Sequence, residues 1–250
     1  MNMSDMNSVE RALAILEMFE REKRPLSLKE IAEVCRIPAS TCHSLVHTLL
    51  RRAYLYQSGR RKDLYPTRRL FDLGAAILAN DPVLQRLLPA MQGLREATRE
   101  TVILGKRQGD GVVYLEVLES PEVIRYSAKP GDAKPLHSTC IGKALLSSLS
   151  PTSVAEVLAR NPPAKVTGNT ITTIEGLLAD LEAGRANGCF VTQGENVPDV
   201  TAVAVPVWLN NELYALAIAG PAHRMDPQFK EIAKALMAAG AGLSEQAIAA

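Results

Sequence analysis

The chain has 250 residues, 47% hydrophobic and 22% charged, with 28 Lys+Arg against 27 Asp+Glu and a formal net charge of +1. These are globular proportions, enough for one large or two modest domains, and they exclude wholesale disorder and collagen-like or low-complexity architecture. No apolar run approaches the roughly 18 to 20 residues that span a bilayer. Met1 to Asp5 carry no export pattern, and four cysteines without a CxxC pair read as free thiols, so the expectation is a cytoplasmic protein with no membrane partner.

The net charge conceals an asymmetry. Residues 1 to 80 hold 13 Lys+Arg against 9 Asp+Glu, and from Arg36 to Arg69 eight basic residues stand against Asp63 alone. A concentrated basic segment on a balanced chain is the footprint of phosphate-backbone binding, although charge by itself argues more for a solvated face. The local pattern has to decide.

Val9, Ala12, Leu13, Leu16 and Phe19 recur at helical spacing, which predicts an amphipathic helix to about Lys23 with those residues inward, stopped by Pro25. Ser27 with Glu30 forms a capping box and Leu26 with Ile31 a hydrophobic staple, opening a short helix with Leu28, Ile31, Ala32 and Cys35 on one face. Arg36-Ile37-Pro38 makes a turn. A third helix follows with Cys42, Leu45, Val46 and Leu49 inward and Ser40, His43, Ser44, His47 and Arg51 outward. Tyr54 to Tyr65 reads as a small basic hairpin turning near Gly59. That order is the order of a winged helix-turn-helix, whose last helix enters the major groove while the hairpin reaches neighbouring backbone.

After Pro66, a helix from Thr67 to about Ala79 carries Leu70, Phe71, Leu73, Ile77 and Leu78 on two sides, so it is expected to pack on its own winged domain and on a second chain. Asp81-Pro82 starts another helix, which Pro89 should break or kink before about Glu100. Beyond Thr101 the period becomes that of strands, at Thr101–Arg107, Val112–Glu119, Val123–Ser127, Gly188–Thr192, Val200–Leu209 and Glu212–Ala219. Helices are expected at Thr139–Leu149, Thr152–Arg160, Ile174–Ala186 and Pro227–Ile248. The fold class is α+β: a winged helix-turn-helix over residues 1–66, a linker helix over 67–81, and a largely antiparallel sheet with flanking helices over 82–250.

At this point the residues resemble the IclR family of bacterial transcription regulators. Ser8 to Leu16 (SVERALAIL) and Ser40-Thr41-Cys42-His43 are similar to its opening and recognition helices, Pro135 to Leu146 (PLHSTCIGKALL) to its most distinctive segment, and Ala219-Gly220-Pro221 with Arg224 to its closing strand. The resemblance covers nearly the whole chain. It implies a GAF-like effector-binding domain, homodimers often paired into tetramers, and control of a promoter by a small metabolite, with repression the expected output. Two departures stand out: Ser44 occupies a position where many relatives are basic, and Thr192 one where the family's acidic stretch would supply a carboxylate.

The expected partner is a double-stranded DNA operator. Ser40, Thr41, His43, Ser44 and His47 are candidates for base edges or nearby phosphates, and Arg51, Arg52, Arg60, Arg61 and Lys62 for phosphates. Asn210-Asn211 reads as a two-residue hairpin turn that pairs Ala202 with Ala219, Ala204 with Ala217 and Pro206 with Ala215 on one face, leaving valines on the other. A face of alanines has to be met by a closely packed helix or by something that is not protein, and the residues alone leave both open. Family effectors are held against these strands, so the resemblance favours a ligand. The expected one is a small organic acid, for example aromatic. Its charged end would lie at the N–H groups of Thr139, Cys140, Ile141 and Gly142, with its body on Ala202, Ala204, Ala217 and Ala219 and Thr192 alongside.

No cofactor, metal or catalytic residue is expected. Cys35 and Cys42 point inward and His43 and His47 outward, which argues against zinc; Gly142-Lys143 lacks the upstream glycine of a P-loop; and His137 with Cys140 lacks a third group. The rival readings are a GAF-type thiol enzyme or redox sensor using Cys140, and a nucleoid binder without an effector.

Overall fold

The computed structural model describes residues 7–244, so the readings of Met1 to Asp5 and of the last helix beyond 244 lie outside the described residues. The chain divides into two units, Met1–Asp81 and Pro82–Ala250. The architecture is α+β: helices with a wing hairpin, then a six-stranded antiparallel sheet with helices.

In the first unit, α1 (Ser8–Glu22) opens on Asn7, whose side chain accepts from the N–H groups of Val9 and Glu10, and ends on Lys23 in the left-handed region. α2 (Leu28–Val34) carries the expected capping box: Glu30 N–H donates to Ser27 Oγ at 3.3 Å and Ser27 N–H donates to Glu30 Oε2 at 2.8 Å. The Ser27 N–H and hydroxyl, with Arg24 beside them, hold the Glu30 carboxyl down to about 2. Ser27→Ala should therefore cost about 1 kcal/mol in urea unfolding at neutral pH. The Glu30 carboxyl is depressed from 4.5, so the box is fully formed above that value. The gap between the two proteins should narrow as pH falls from about 4.5 toward about 2.

α3 (Ala39–Arg51) leads into a hairpin of β1 (Leu55–Ser58) and β2 (Asp63–Pro66), with Leu55 opposite Pro66 and Ser58 opposite Asp63. The core joins Ile15, Met18 and Phe19 to Leu26, Ile31, Cys35, Cys42, Val46, Leu49, Leu55 and Leu64. This corrects the inward face expected of α1, since Val9 is 67% exposed and Leu13 is exposed too. α2 and the hairpin claim the neighbouring stripe instead: Cys35 Sγ lies 3.6 Å from Met18 Sδ, and the Phe19 ring meets Tyr65 edge-on.

At the start of α4 (Arg69–Ala79), Thr67 Oγ1 donates to Ala53 O at 2.6 Å and Arg69 lies over the Tyr54 ring. Of the apolar residues expected to pack on the winged domain, Leu70 is half-buried and those beyond it are exposed. No residue of α4 is buried, Phe71 and Ile77 are 66% and 63% exposed, and Leu73 and Leu78 are exposed as well.

In the second unit, α5 (Pro82–Thr98) runs as one helix through Pro89, so the break expected there does not occur. Pro89 faces solvent while Leu84, Leu87, Met91 and Leu94 bury the opposite stripe, so packing holds the helix across the lost hydrogen bond. The sheet order is β5-β4-β3-β8-β7-β6, from β3 (Thr101–Gln108), β4 (Gly111–Leu118), β5 (Ala133–Pro135), β6 (Phe190–Gln193), β7 (Val200–Leu209) and β8 (Glu212–Pro221). Asn210 and Asn211 both have positive φ, 49° and 60°, as a tight hairpin turn requires, and the register pairs Ala202 with Ala219 and Ala204 with Ala217 as expected.

One sheet face, with Val102, Leu104, Val203, Val205 and Val207, is covered by α5 and by α10 (Phe229–Leu243), which follows the short α9 (Ala222–Met225). The alanine face is covered by α6 (Cys140–Leu146), with α7 (Pro151–Arg160) and α8 (Ile174–Asn187) in the same core. The strand expected at Val123–Ser127 is a loop, with Val123 93% exposed. β5 takes the edge of β4 instead, and the loop is pinned from below, where Thr101 Oγ1 donates to Tyr126 O at 2.6 Å. No helix among the described residues is long and apolar enough to cross a membrane.

Candidate nucleic-acid interface and internal pocket

α3 places Cys42, Val46 and Leu49 in the core of the first unit, and its 3.6-residue period then turns Ser40, His43, Ser44 and His47 to solvent, with Thr41 half-buried. Arg51 and Arg52 are exposed at its end. Arg60, Arg61 and Lys62 are exposed at the hairpin tip, where Gly59 and Lys62 adopt positive φ of 68° and 55°. The ion pairs of this unit join Arg24 to Glu22 and Glu30, Lys29 to Glu33, and Arg68 to Asp72; among the described residues none of those five cations is engaged. An open concavity of about 340 Å³ joins helix to wing and brings His43, His47, Gln57, Arg61 and Lys62 around one space. Cations without internal partners, set beside exposed polar side chains on a helix, suit the duplex backbone and groove.

The second unit holds a small pocket, a cavity of about 30 Å³, between the alanine face and the start of α6. Of the residues named from sequence, Thr139, Cys140, Ile141, Thr192, Ala202, Ala217 and Ala219 line it. Gly142 and Ala204 do not. Gly142 faces the Leu136 backbone so closely that an added Cβ would lie 2.1 Å from Leu136 O, and its N–H donates to Thr139 Oγ1 at 3.1 Å. Ala204 is fully buried in the core that includes α6. Helix α6 thus packs over part of the alanine face, and Ala202, Ala217 and Ala219 line the pocket.

Ile103, Tyr114, Tyr126, Asn196, Val197 and Val200 complete the lining. Sequence reasoning missed them, because strand order and loop paths bring them in; Ile103, for example, is the cross-strand partner of Ala217. Burial pushes the Cys140 thiol up to about 12, which keeps it protonated and opposes a thiolate nucleophile. Burial likewise raises the Tyr114 hydroxyl. His137, buried, meets Ala164 O through Nε2 at 2.8 Å. Among the described residues no group of three or more His, Cys, Asp or Glu side chains is placed to hold a metal ion.

Lys143 was also missed. Its side chain is fully buried, with Nζ 2.7 Å from Glu195 Oε1, 2.8 Å from Asp180 Oδ2 and 3.2 Å from Val191 O. The ammonium thus ties α6 to α8, to β6 and to the loop carrying Asn196 and Val197. Burial raises the Glu195 carboxyl despite the lysine, and its Oε2 is buried with no hydrogen-bond partner. The available signal was a lone lysine inside the apolar run Cys140 to Leu146.

Comparison with known proteins agrees with both units. Residues 8–59 match the IclR helix-turn-helix domain, and residues 75–245 match the bacterial transcriptional regulator IclR C-terminal domain. The chain is 30% identical over 240 residues to the HTH-type transcriptional regulator BhcR of Paracoccus denitrificans, covering 95% of this chain and 86% of that protein. It is 29% identical to the HTH-type transcriptional repressor AllR of Escherichia coli K12, covering 87% and 81% respectively. Its fold is similar to that of an IclR homologue from Microbacterium hydrocarbonoxydans, crystallised in complex with 4-hydroxybenzoate, with a TM-score of 0.76, 24% identity, and coverage of 95% of this chain and 98% of that one. With both domains matched and the winged unit's cations facing outward, the chain belongs to the IclR family of DNA-binding transcriptional regulators, which are not enzymes.

Proposed function

We propose that the chain is a repressor whose hold on its operator changes when an organic acid with an apolar, for example aromatic, body enters the pocket of the second unit. The observation that carries this reading is the pocket's two-sided lining. Three alanines and Ile103 offer an apolar floor, while Thr192, Asn196 and the N–H groups of Cys140 and Ile141 offer donors. A carboxylate is suited to the donors, and a flat apolar body to the space over the alanines beside Tyr114 and Tyr126. Thr192, an uncharged residue in the lining, puts no like charge opposite such a ligand. The repressor AllR and the homologue bound to 4-hydroxybenzoate support output and ligand class respectively.

On the DNA side, Arg51, Arg52, Arg60, Arg61 and Lys62 meet phosphates, while Ser40, Thr41, His43, Ser44 and His47 reach base edges or nearby phosphates. A second copy covers the exposed apolar residues of α4, which makes a homodimer that can pair further and predicts a near-palindromic operator with half-sites about 34 Å, or a multiple of it, apart. The acid regulates only by its difference in affinity between two arrangements of that dimer.

Thermal melting with benzoate and 4-hydroxybenzoate, set against glyoxylate and pyruvate, tests the ligand class. At a hundredfold excess over Kd, binding stabilises by about 2.7 kcal/mol. An aromatic acid should accordingly raise Tm by about 5 to 10 °C, and Ala217→Phe, which fills the floor, should abolish the shift. Stabilisation by glyoxylate or pyruvate alone would overturn the proposed class.

A further inference from the structure

Resting on the DNA-binding assignment of the first unit, we propose that His43, His47, Arg61 and Lys62 form a proton-linked phosphate site, so that duplex DNA is held more tightly as pH falls from 8 to 6. The two histidines are one helical turn apart on the outer face of α3, both exposed, and they share the concavity with the two wing cations. Four side chains from two elements thus converge on a space of about 340 Å³ that is open to solvent.

The charged surroundings contain no competing acid in an ion pair. From α2 the concavity receives Ser27 and Leu28; the nearby Glu30 is committed to Ser27 and Arg24, and Lys29 to Glu33. From the hairpin it receives Gln57, Arg61 and Lys62, with Asp63 opposite Ser58 in the strand pairing. On α3 itself the next charge is Arg51, one turn beyond His47. Among the described residues neither histidine is in an ion pair. A phosphate oxygen is therefore the anion this site is built to receive.

Imidazole is the side chain whose charge changes between pH 5 and 8, and its protonated form donates from both ring nitrogens. A phosphate against it favours that form, so binding takes up protons. The sign follows: affinity is greatest at low pH and is lost as pH rises and the bound histidines release their protons. Arginine and lysine keep their charge across this range and supply the constant part of the attraction.

The test is fluorescence anisotropy of the full chain on a labelled 30-base-pair duplex of arbitrary sequence, at fixed salt, at pH 6, 7 and 8. Affinity should change about tenfold per pH unit for each proton taken up, giving at least a tenfold gain from pH 8 to pH 6. His43→Gln with His47→Gln should flatten the profile between pH 8 and pH 6, whereas His43→Lys with His47→Lys should bind tightly throughout. The other two of the four histidines, His137 and His223, stay in place as an internal control. A flat wild-type profile, or an undiminished slope in the glutamine variant, overturns the proton linkage while leaving DNA binding standing. A folded chain that binds no duplex at any of these pH values overturns both.

Discussion

Replacing Arg60, Arg61 and Lys62 together with alanine should weaken binding to duplex DNA about 100-fold at 0.15 M salt. Each phosphate contact releases about 0.9 of a counterion, which at this salt is worth roughly fivefold in affinity, so three lost contacts multiply to about two decades. The plot of log affinity against log salt should become shallower by about 0.9 per contact. The structure makes this a clean experiment. All three residues are exposed and, among the described residues, in no ion pair, and the hairpin is anchored by Leu55 and Leu64, which the variant leaves in the core. Anisotropy titrations from 50 to 200 mM salt, with a thermal melt as the folding control, provide the measurement. An unchanged slope would mean that the wing does not touch the backbone.

The winged unit was largely legible because its signals are local. A serine three residues before a glutamate, a proline after a short turn, and a glycine between β-prone runs each act within one or two turns of chain. The alanine register was legible for the same reason, since two asparagines that accept positive φ set every pair behind them. Legibility failed where a choice between equivalent patterns was made elsewhere. α1 carries Val9 and Leu13 at helical spacing beside Ile15 and Met18, and only the positions of α2 and the hairpin select the second pair. Val123 to Ser127 has the composition of a strand, but β5 occupies the edge it would need.

The candidate pocket divides the same way. Its alanines follow from a hairpin, whereas Tyr126 and Asn196 come from loops whose paths no periodicity encodes. Lys143 is the sharpest case, because its partners lie 37 and 52 positions away, too far for any pattern of spacing to join them.

That buried lysine gives the largest expected effect on stability. Lys143→Met preserves length and apolar contact but removes the cation between Glu195 and Asp180, and breaking one side of a buried pair costs about 3 to 5 kcal/mol. The loss should depend on pH with a definite sign. Burial raises the Glu195 carboxyl above its ordinary 4.5, so its ionisation opposes folding above the raised value and the penalty fades as pH falls through it. Without the ammonium that opposition grows. Urea unfolding should therefore show Lys143→Met weakest at pH 7.5 and partly recovered at pH 5.5. Glu195→Gln should behave differently. Its amide oxygen still accepts from Lys143, Asp180 still balances the charge, and the change removes a carboxylate whose Oε2 is buried without a partner; the cost should stay below about 1 kcal/mol. Combining the two should cost less than their sum, because the neutral amide no longer needs the cation. Loss of less than 1 kcal/mol in Lys143→Met would sink this account. If it holds, the same variant should blunt the Tm shift from an aromatic acid even where the chain remains folded. Glu195 immediately precedes Asn196 and Val197, and its bond to Lys143 ties that part of the pocket wall to α6, alongside the Ser138 hydroxyl that donates to Asn196 Oδ1 and the Thr167 and Thr170 hydroxyls that donate to Glu195 O.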